Sequence, residues 1–223
     1  MIYYLCDTET TGVSSDDKVC EVALMQIDEN FNVISQHCSL INPGKPIHYA
    51  ASAVNGITDA MVADAPTLDQ FMSDIGQPLL APDVVFVAHN ASFDFRFMKD
   101  FLQDDAKTLC TLKAARVIYP EAANHKQGTL AAMLGIEVPR EKAHSADGDL
   151  DVLLQLLKCL CRDAECGLAE LLHIQSIPRV VTKMPFGIHK GTKLEDLPKS
   201  YVTWLLTKCK TLNDDLRASL LKL

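Results

Sequence analysis

The chain has 223 residues, 48% hydrophobic and 22% charged, enough to bury a sizeable core and suited to one main domain with a small appendage. No stretch approaches the roughly 20 apolar residues of a membrane span, and Met1 leads into Ile2-Tyr3-Tyr4-Leu5-Cys6 without a basic flank, so the expectation is a cytoplasmic protein with no membrane partner. A net charge of -8 excludes a protein that coats nucleic acid by bulk electrostatics, although residues 176–223 hold nine Lys/Arg against four Asp/Glu and follow a body of net charge -13.

Three strands are expected first, at Ile2 to Asp7, Val19 to Asp28 and Asn32 to Ile41, joined by short turns into an antiparallel meander. A loop rich in Pro and Gly comes next. Thr67 then opens an amphipathic helix carrying Leu68, Phe71, Ile75 and Leu79, and Val84 to Ala88 reads as a buried central strand. Further helices are expected near Ser92 to Gln103, Thr111 to Tyr119, Thr129 to Leu134 and Ser145 to Arg162, with a brief strand around Leu109. Antiparallel strands followed by alternating strand and helix imply an α/β architecture, a mixed sheet covered by helices. The character changes near Pro178, which divides the chain into residues 1–175 and a small basic module, 176–223. That module is expected to hold short strands, a turn at Gly187 to Gly191, and helices at Pro198 to Thr207 and Asn213 to Leu223.

The eight cysteines contain no CxxC pair, and Cys159, Cys161 and Cys166 have no histidine at zinc-ligand spacing, so reduced, buried thiols are expected.

Acidic residues recur in three places. Asp7 and Glu9, two apart at the end of the first strand, point to one face and can share a cation. With Ser92 as a cap, Asp94 heads an apolar stripe of Phe97, Met98 and Phe101, so it faces the sheet, where an ionised carboxylate needs a counter-charge. With Ser145 as a cap, Asp149 heads the stripe of Val152, Leu153, Leu156, Leu157 and Leu160, whereas Asp147 and Asp151 fall on other sides. His144 stands just outside that helix. Four carboxylates aimed at one place form an all-oxygen site suited to Mg²⁺ or Mn²⁺. Two such ions stabilise an in-line phosphoryl displacement, and a histidine supplies a base of near-neutral pKa. Phosphodiester hydrolysis is the chemistry implied.

This motif set resembles the DEDDh family of 3′-to-5′ exonucleases, with Asp7 and Glu9, then Asp94, then the His-x-Ala-x-x-Asp spacing of His144 and Asp149. The resemblance implies a ribonuclease H-like fold over roughly residues 1–162, two Mg²⁺ ions held by Asp7, Glu9, Asp94 and Asp149, and His144 as the base. It also implies Thr8, Thr10, Ile57 and Asn90 near the substrate, although Asn55 stands where the family carries a histidine in its His-Gly-Ile stretch. The tail, from Met184-Pro185-Phe186-Gly187 through Asp196-Leu197-Pro198 to Trp204, resembles the C-terminal module of the bacterial exodeoxyribonuclease X branch.

The implied activity is removal of nucleoside 5′-monophosphates from 3′ ends of single-stranded DNA, extending to overhanging or mismatched duplex ends, in repair and recombination. Alternatives left open are an epsilon-like proofreading subunit of DNA polymerase III and an RNA-trimming exonuclease, because metal-bound carboxylates address phosphate and not sugar. An inert binding module is a reading of another class, and it expects a lost carboxylate. DNA is the implied partner, and homodimerisation is left open.

Overall fold

Strand β1 (Ile2–Thr10) lies at the middle of a mixed sheet whose order is β3-β2-β1-β4-β5. β1 pairs antiparallel with β2 (Val19–Ile27), and β2 likewise with β3 (Val33–Leu40). On its other side β1 pairs parallel with β4 (Val84–Ala88), which pairs parallel with β5 (Lys107–Cys110). This computed structural model describes residues 1–137, 145–209 and 212–223. They form two compact units, residues 1–175 and 176–223. The first unit has the mixed α/β sheet anticipated from the sequence, in the ribonuclease H-like arrangement.

β1 continues past its expected end at Asp7. Thr8 pairs with Val22 of β2 and Thr10, after a one-residue shift in register at Glu9, with Val19, and their branched side chains suit a pleated, buried surface. Asp7 and Glu9 therefore sit inside the strand, not beyond it.

Alternation along β1 sorts the two faces of the sheet. Tyr3 and Leu5 pack with Val85, Val87 and Leu109 beneath three helices, α5 (Thr111–Ile118), α6 (Gln127–Leu134) and α7 (Ala146–Asp163). Tyr4 and Cys6 pack on the opposite face with Phe86, under α3 (Leu68–Asp74) and α4 (Ser92–Met98). By the same alternation Asp7 and Glu9 project toward the α7 side, and Thr8 and Thr10 toward the α4 side.

Two short helices, α1 (Tyr49–Asn55) and α2 (Asp59–Val62), occupy the segment expected to be loop. The His48 ring nitrogen caps α1 by accepting the Ala50 N–H, and Gly56 closes it at φ +75°, a backbone angle a β-carbon resists. A capping box between Thr67 and Gln70 starts α3, but the helix ends at Asp74 because Gly76 and Gln77 take φ of +80° and +48°. Leu79 reaches the core from a separate 3₁₀ turn, Pro78–Leu80. Helix α8 (Leu168–Ile174) was not anticipated either.

Two corrections concern caps and cysteines. Ser92 does not cap α4; Asn90 takes φ +66° and its carbonyl accepts the Phe93 N–H at 2.8 Å, so a tight turn starts the helix instead. That helix stops at Met98 and tightens into a 3₁₀ turn over Lys99–Phe101, short of the expected Gln103. The described cysteines are all reduced, yet Cys38 is exposed and Cys166 and Cys209 are half-buried.

The second unit has its own core of Met184, Leu194, Leu197, Leu205, Leu212 and Leu216, with Leu220. Its helices are α9 (Lys199–Lys208) and α10 (Asp214–Leu220), the latter capped by the Asn213 side chain. In place of the expected strands there is one isolated bridge among the described residues, Lys183 to Lys193. Among the described residues no helix is long and apolar enough to cross a membrane.

Candidate active site

The C-terminal half of β1 and the first turn of α7 bring three carboxylates together. Oxygens of Asp7, Glu9 and Asp149 all lie within 4.8 Å of one another. Ser145 caps α7 by accepting the Gly148 N–H at 3.2 Å, which fixes the helical phase. Asp149 then turns toward β1. Asp147 instead meets the Gln36 side chain on β3, which donates to its Oδ1.

Asp94 arrives from the opposite layer. It is 4% exposed, and its Oδ1 accepts the backbone N–H of Thr8 at 3.1 Å and the Thr8 hydroxyl at 2.8 Å. Asp94 lies outside the trio within 4.8 Å, although its charge acts on Asp7 and Glu9. Thr8, expected at the substrate, thus uses its hydroxyl to hold a carboxylate.

The cluster is electrostatically crowded. Burial, followed by the charges of Asp94, Asp149, Glu9 and Glu21, holds Asp7 well above the usual carboxylate range. Burial pushes Glu9 up to about 7, against the pull of a hydrogen bond from Asn55. Burial likewise lifts Asp94 to about 7 despite its bonds from Thr8. Carboxylates that raise one another's pKa favour a multivalent cation, which offsets several charges at once. The donor set is all oxygen, so it fits a hard divalent ion and not a thiolate-seeking one.

Some residues at the site were not singled out from the sequence. Glu21 faces Glu9 across the β1–β2 pair and its Oε2 accepts the Ala146 N–H at 3.0 Å, anchoring the start of α7. A glutamate inside the apolar strand VCEVALMQI was the available signal. Gln127, at the start of α6, donates to the Asp149 carbonyl at 2.9 Å and to its Oδ1 at 3.3 Å. No spacing pointed to it. Asn55 also donates to the Thr10 carbonyl at 3.4 Å.

A cleft of about 730 Å³ opens beside Glu9, bounded by Thr8 and Thr10 on β1, Val54 and Asn55 on α1, and Phe93 on α4. Arg96 lies over the rings of Phe93 and Phe97 at 4.6 and 4.5 Å, and its guanidinium donates to the Val13 carbonyl. Thr10 is buried, with its hydroxyl donating to the Gly12 carbonyl at 2.7 Å. Ile57 is 4% exposed, packed with Cys20, Ile47 and Val62. Asn90 is exposed in the turn before α4. His144 lies outside the described residues.

The sequence profile described as Exonuclease matches residues 5–157. The chain belongs to the DEDDh 3′-to-5′ exonuclease family. A DNA polymerase III subunit epsilon-like protein of Rhodobacter capsulatus is 35% identical to this chain over 174 residues, 72% of its length. The chain spans only 24% of that relative's length. Exodeoxyribonuclease 10 of Escherichia coli is 26% identical over 221 residues, covering 97% of this chain and 96% of that protein. The structure of an exonuclease X in complex with 5′-overhanging duplex DNA shares the fold, with a TM-score of 0.61 at 24% identity, over 78% of this chain and 99% of that one. Residues 173–209, from the end of the first unit into the second, match a profile described as a putative quorum-sensing-regulated virulence factor.

Proposed function

We propose that this chain is a divalent-metal-dependent 3′-to-5′ exodeoxyribonuclease that releases nucleoside 5′-monophosphates from single-stranded DNA and from overhanging or mismatched duplex ends, in DNA repair. The observation that carries the reading is the convergence of Asp7, Glu9 and Asp149 within 4.8 Å, with Asp94 tied to the same strand through Thr8.

Asp7, Glu9, Asp94 and Asp149 would hold two Mg²⁺ ions, with Mn²⁺ as a substitute. Such ions, when bound, stabilise charge on the scissile phosphate and lower the pKa of the attacking water. Thr8 keeps one Asp94 oxygen engaged from behind. Glu21 and Gln127 fix the first turn of α7 and hence the direction of Asp149. His144, one residue before the Ser145 cap, takes the proton of the attacking water. The water oxygen bonds to phosphorus as the bond to the 3′ oxygen of the preceding nucleotide breaks, and that oxygen recovers a proton. The cleft beside Glu9 receives the terminal nucleoside, between Val54 and Phe93.

A second reading, a proofreading subunit, is favoured by identity to the Rhodobacter epsilon-like protein. Against it stands end-to-end alignment with a protein named as an exodeoxyribonuclease. Degradation of 3′-labelled and 5′-labelled DNA and RNA oligonucleotides by the purified chain, with Mg²⁺ and no polymerase, tests both. Immediate release of the 3′ label from DNA, with stepwise shortening of the 5′-labelled strand, is expected. Activity confined to RNA, or seen only with a polymerase present, overturns the reading.

A further inference from the structure

The second unit divides its aromatic residues in a way that its own stability does not require. A module of 48 residues, 176–223, needs most of its large apolar side chains inside. Leu205 obeys this and is fully buried, but its neighbour Trp204 is 49% exposed and is not among the residues that form or pack against the core. Phe186 is 40% exposed.

The rings around Trp204 are organised, with His189 and Tyr201 half-buried and Tyr201 packed against the core of the unit. Tyr201 and Trp204, one turn apart on α9, stack with centroids 5.8 Å apart and planes at 20°. His189 meets Tyr201 edge-on at 4.5 Å. The loop that carries His189 is held by Gly187 and Gly191, both at positive φ, and by bonds from the Gly191 N–H to the Met184 carbonyl and from the Lys190 N–H to that of Gly187. A β-carbon on Gly187 would lie 3.1 Å from the Tyr201 hydroxyl, so the loop is drawn tightly against the ring. Lys208 follows Trp204 by four residues, on the same face of α9, and Lys190 adjoins His189; both lysines are exposed.

We propose that His189, Tyr201 and Trp204 form a ladder of rings whose open end, the outer face of Trp204, receives a base of a single-stranded DNA, with Lys190 and Lys208 on its phosphates. Charge complementarity favours this occupant: the module carries nine Lys/Arg against four Asp/Glu, in a chain of net charge -8. An open indole face, backed by the near-parallel ring of Tyr201, favours it over an acidic peptide, because base stacking uses ring faces and tolerates any base. The identity of the strand rests on the proposed nuclease function; the ladder itself rests on the second unit alone.

Trp204 is the single tryptophan of the chain, so its fluorescence reports this surface directly. Full-length protein in EDTA, which prevents turnover, is titrated with a fluorescein-labelled oligo(dT) while both tryptophan emission and label anisotropy are read. Quenching of Trp204 on binding is expected. Trp204→Ala is expected to weaken anisotropy-measured affinity about tenfold, with Trp204→Phe restoring most of it. The double variant Lys190→Ala/Lys208→Ala is expected to reduce the salt dependence of log Kd by a slope of about 1 to 2. Hydrolysis of a trinucleotide with Mg²⁺ is expected to stay at wild-type level in all three variants. Unquenched Trp204 at saturating DNA, or unchanged affinity and salt slope in the variants, overturns the ladder. So does a homodimer that Trp204→Ala dissolves, since the face then serves a second copy. Quenching without any trinucleotide hydrolysis in the wild type overturns the nuclease reading and leaves the ladder standing.

Discussion

The carboxylate of Glu21 accepts the backbone N–H of Ala146 at 3.0 Å, joining the start of β2 to the first turn of α7 across 125 positions of sequence. The bond satisfies one of the helix-terminal donors that otherwise lack an intrahelical partner, and it places a negative group at the positive end of the helix dipole.

Removing that bond is expected to act on the direction of Asp149. Glu21→Ala should cost about 2 kcal/mol of stability, the usual net value of a hydrogen bond to a charged group. Turnover should fall further than that loss alone explains, because Asp149 is carried on the freed turn. Glu21→Gln retains an acceptor and should recover most of the rate. Thermal melts and kcat of the two variants check this; equal rates for Ala and wild type remove Glu21 from its positioning role.

Asp7→Asn, Glu9→Gln, Asp94→Asn and Asp149→Asn should each lower turnover by several orders of magnitude, since each withdraws charge from a shared cluster. Asp147→Asn should stay close to wild type. Its side chain meets Gln36 and lies outside the carboxylate trio. Single-turnover rates on labelled single-stranded DNA measure all five, and an Asp147→Asn variant as damaged as Asp149→Asn contradicts the phase of α7.

His144→Ala should keep metal and DNA binding while losing about 10² to 10⁴ in rate, the usual share of a general base. The acid limb of the wild-type profile should report an apparent pKa near about 6.5, that of a histidine. An acid limb that survives in the variant assigns the proton transfer to another group.

Stability of the metal-free protein should fall as pH rises. Glu9 and Asp94 stand at about 7 in the folded chain, above their ordinary values of 4.5 and 3.8. The folded state therefore holds these protons more tightly than the unfolded state does. Their contribution to stability is complete below pH of about 4 and is lost as pH rises through about 7. The melting temperature in EDTA should drop between pH 5 and pH 8, and Asp94→Asn should flatten the drop. Mg²⁺ or Mn²⁺ should raise it more at pH 8 than at pH 5, because cations compete with protons for the same oxygens. A metal-free melting temperature that climbs over this interval, with no change in Asp94→Asn, counts against burial as the force that holds protons on these carboxylates.

Thr8→Val removes the hydroxyl bond to Asp94 and keeps the backbone one. Because the Thr8 bonds lower the Asp94 pKa, their partial loss should lift it further and weaken metal binding at neutral pH. Calorimetric titration with Mn²⁺ should show the deficit shrinking as pH rises.

Local periodicity is short-range, so the sequence alone determined whatever depended on neighbours two to four positions apart. Alternation placed Asp7 and Glu9 on one face of β1, and the Ser145 cap with a helical repeat selected Asp149 over Asp147. The buried run Val84–Ala88 identified β4 by its apolar residues alone. The same local logic failed at Ser92, where a left-handed Asn90 supplies the turn, and at α1, where the His48 ring acts as a cap outside the usual Ser, Thr, Asp or Asn set. Only the tertiary structure decided which side chains support the carboxylates. Glu21 meets α7, Asn55 meets Glu9 and Gln127 meets Asp149 because the sheet order and the two helix layers bring distant segments together. It also decided which residues close over Leu205 in the core of the second unit, while Trp204 stays outside. Val202, Leu205, Leu206 and Cys209 recur at helical spacing along α9 to its C-cap, but the residues that meet this stripe, Met184, Leu194 and Leu216, come from other segments that no repeat within the helix encodes.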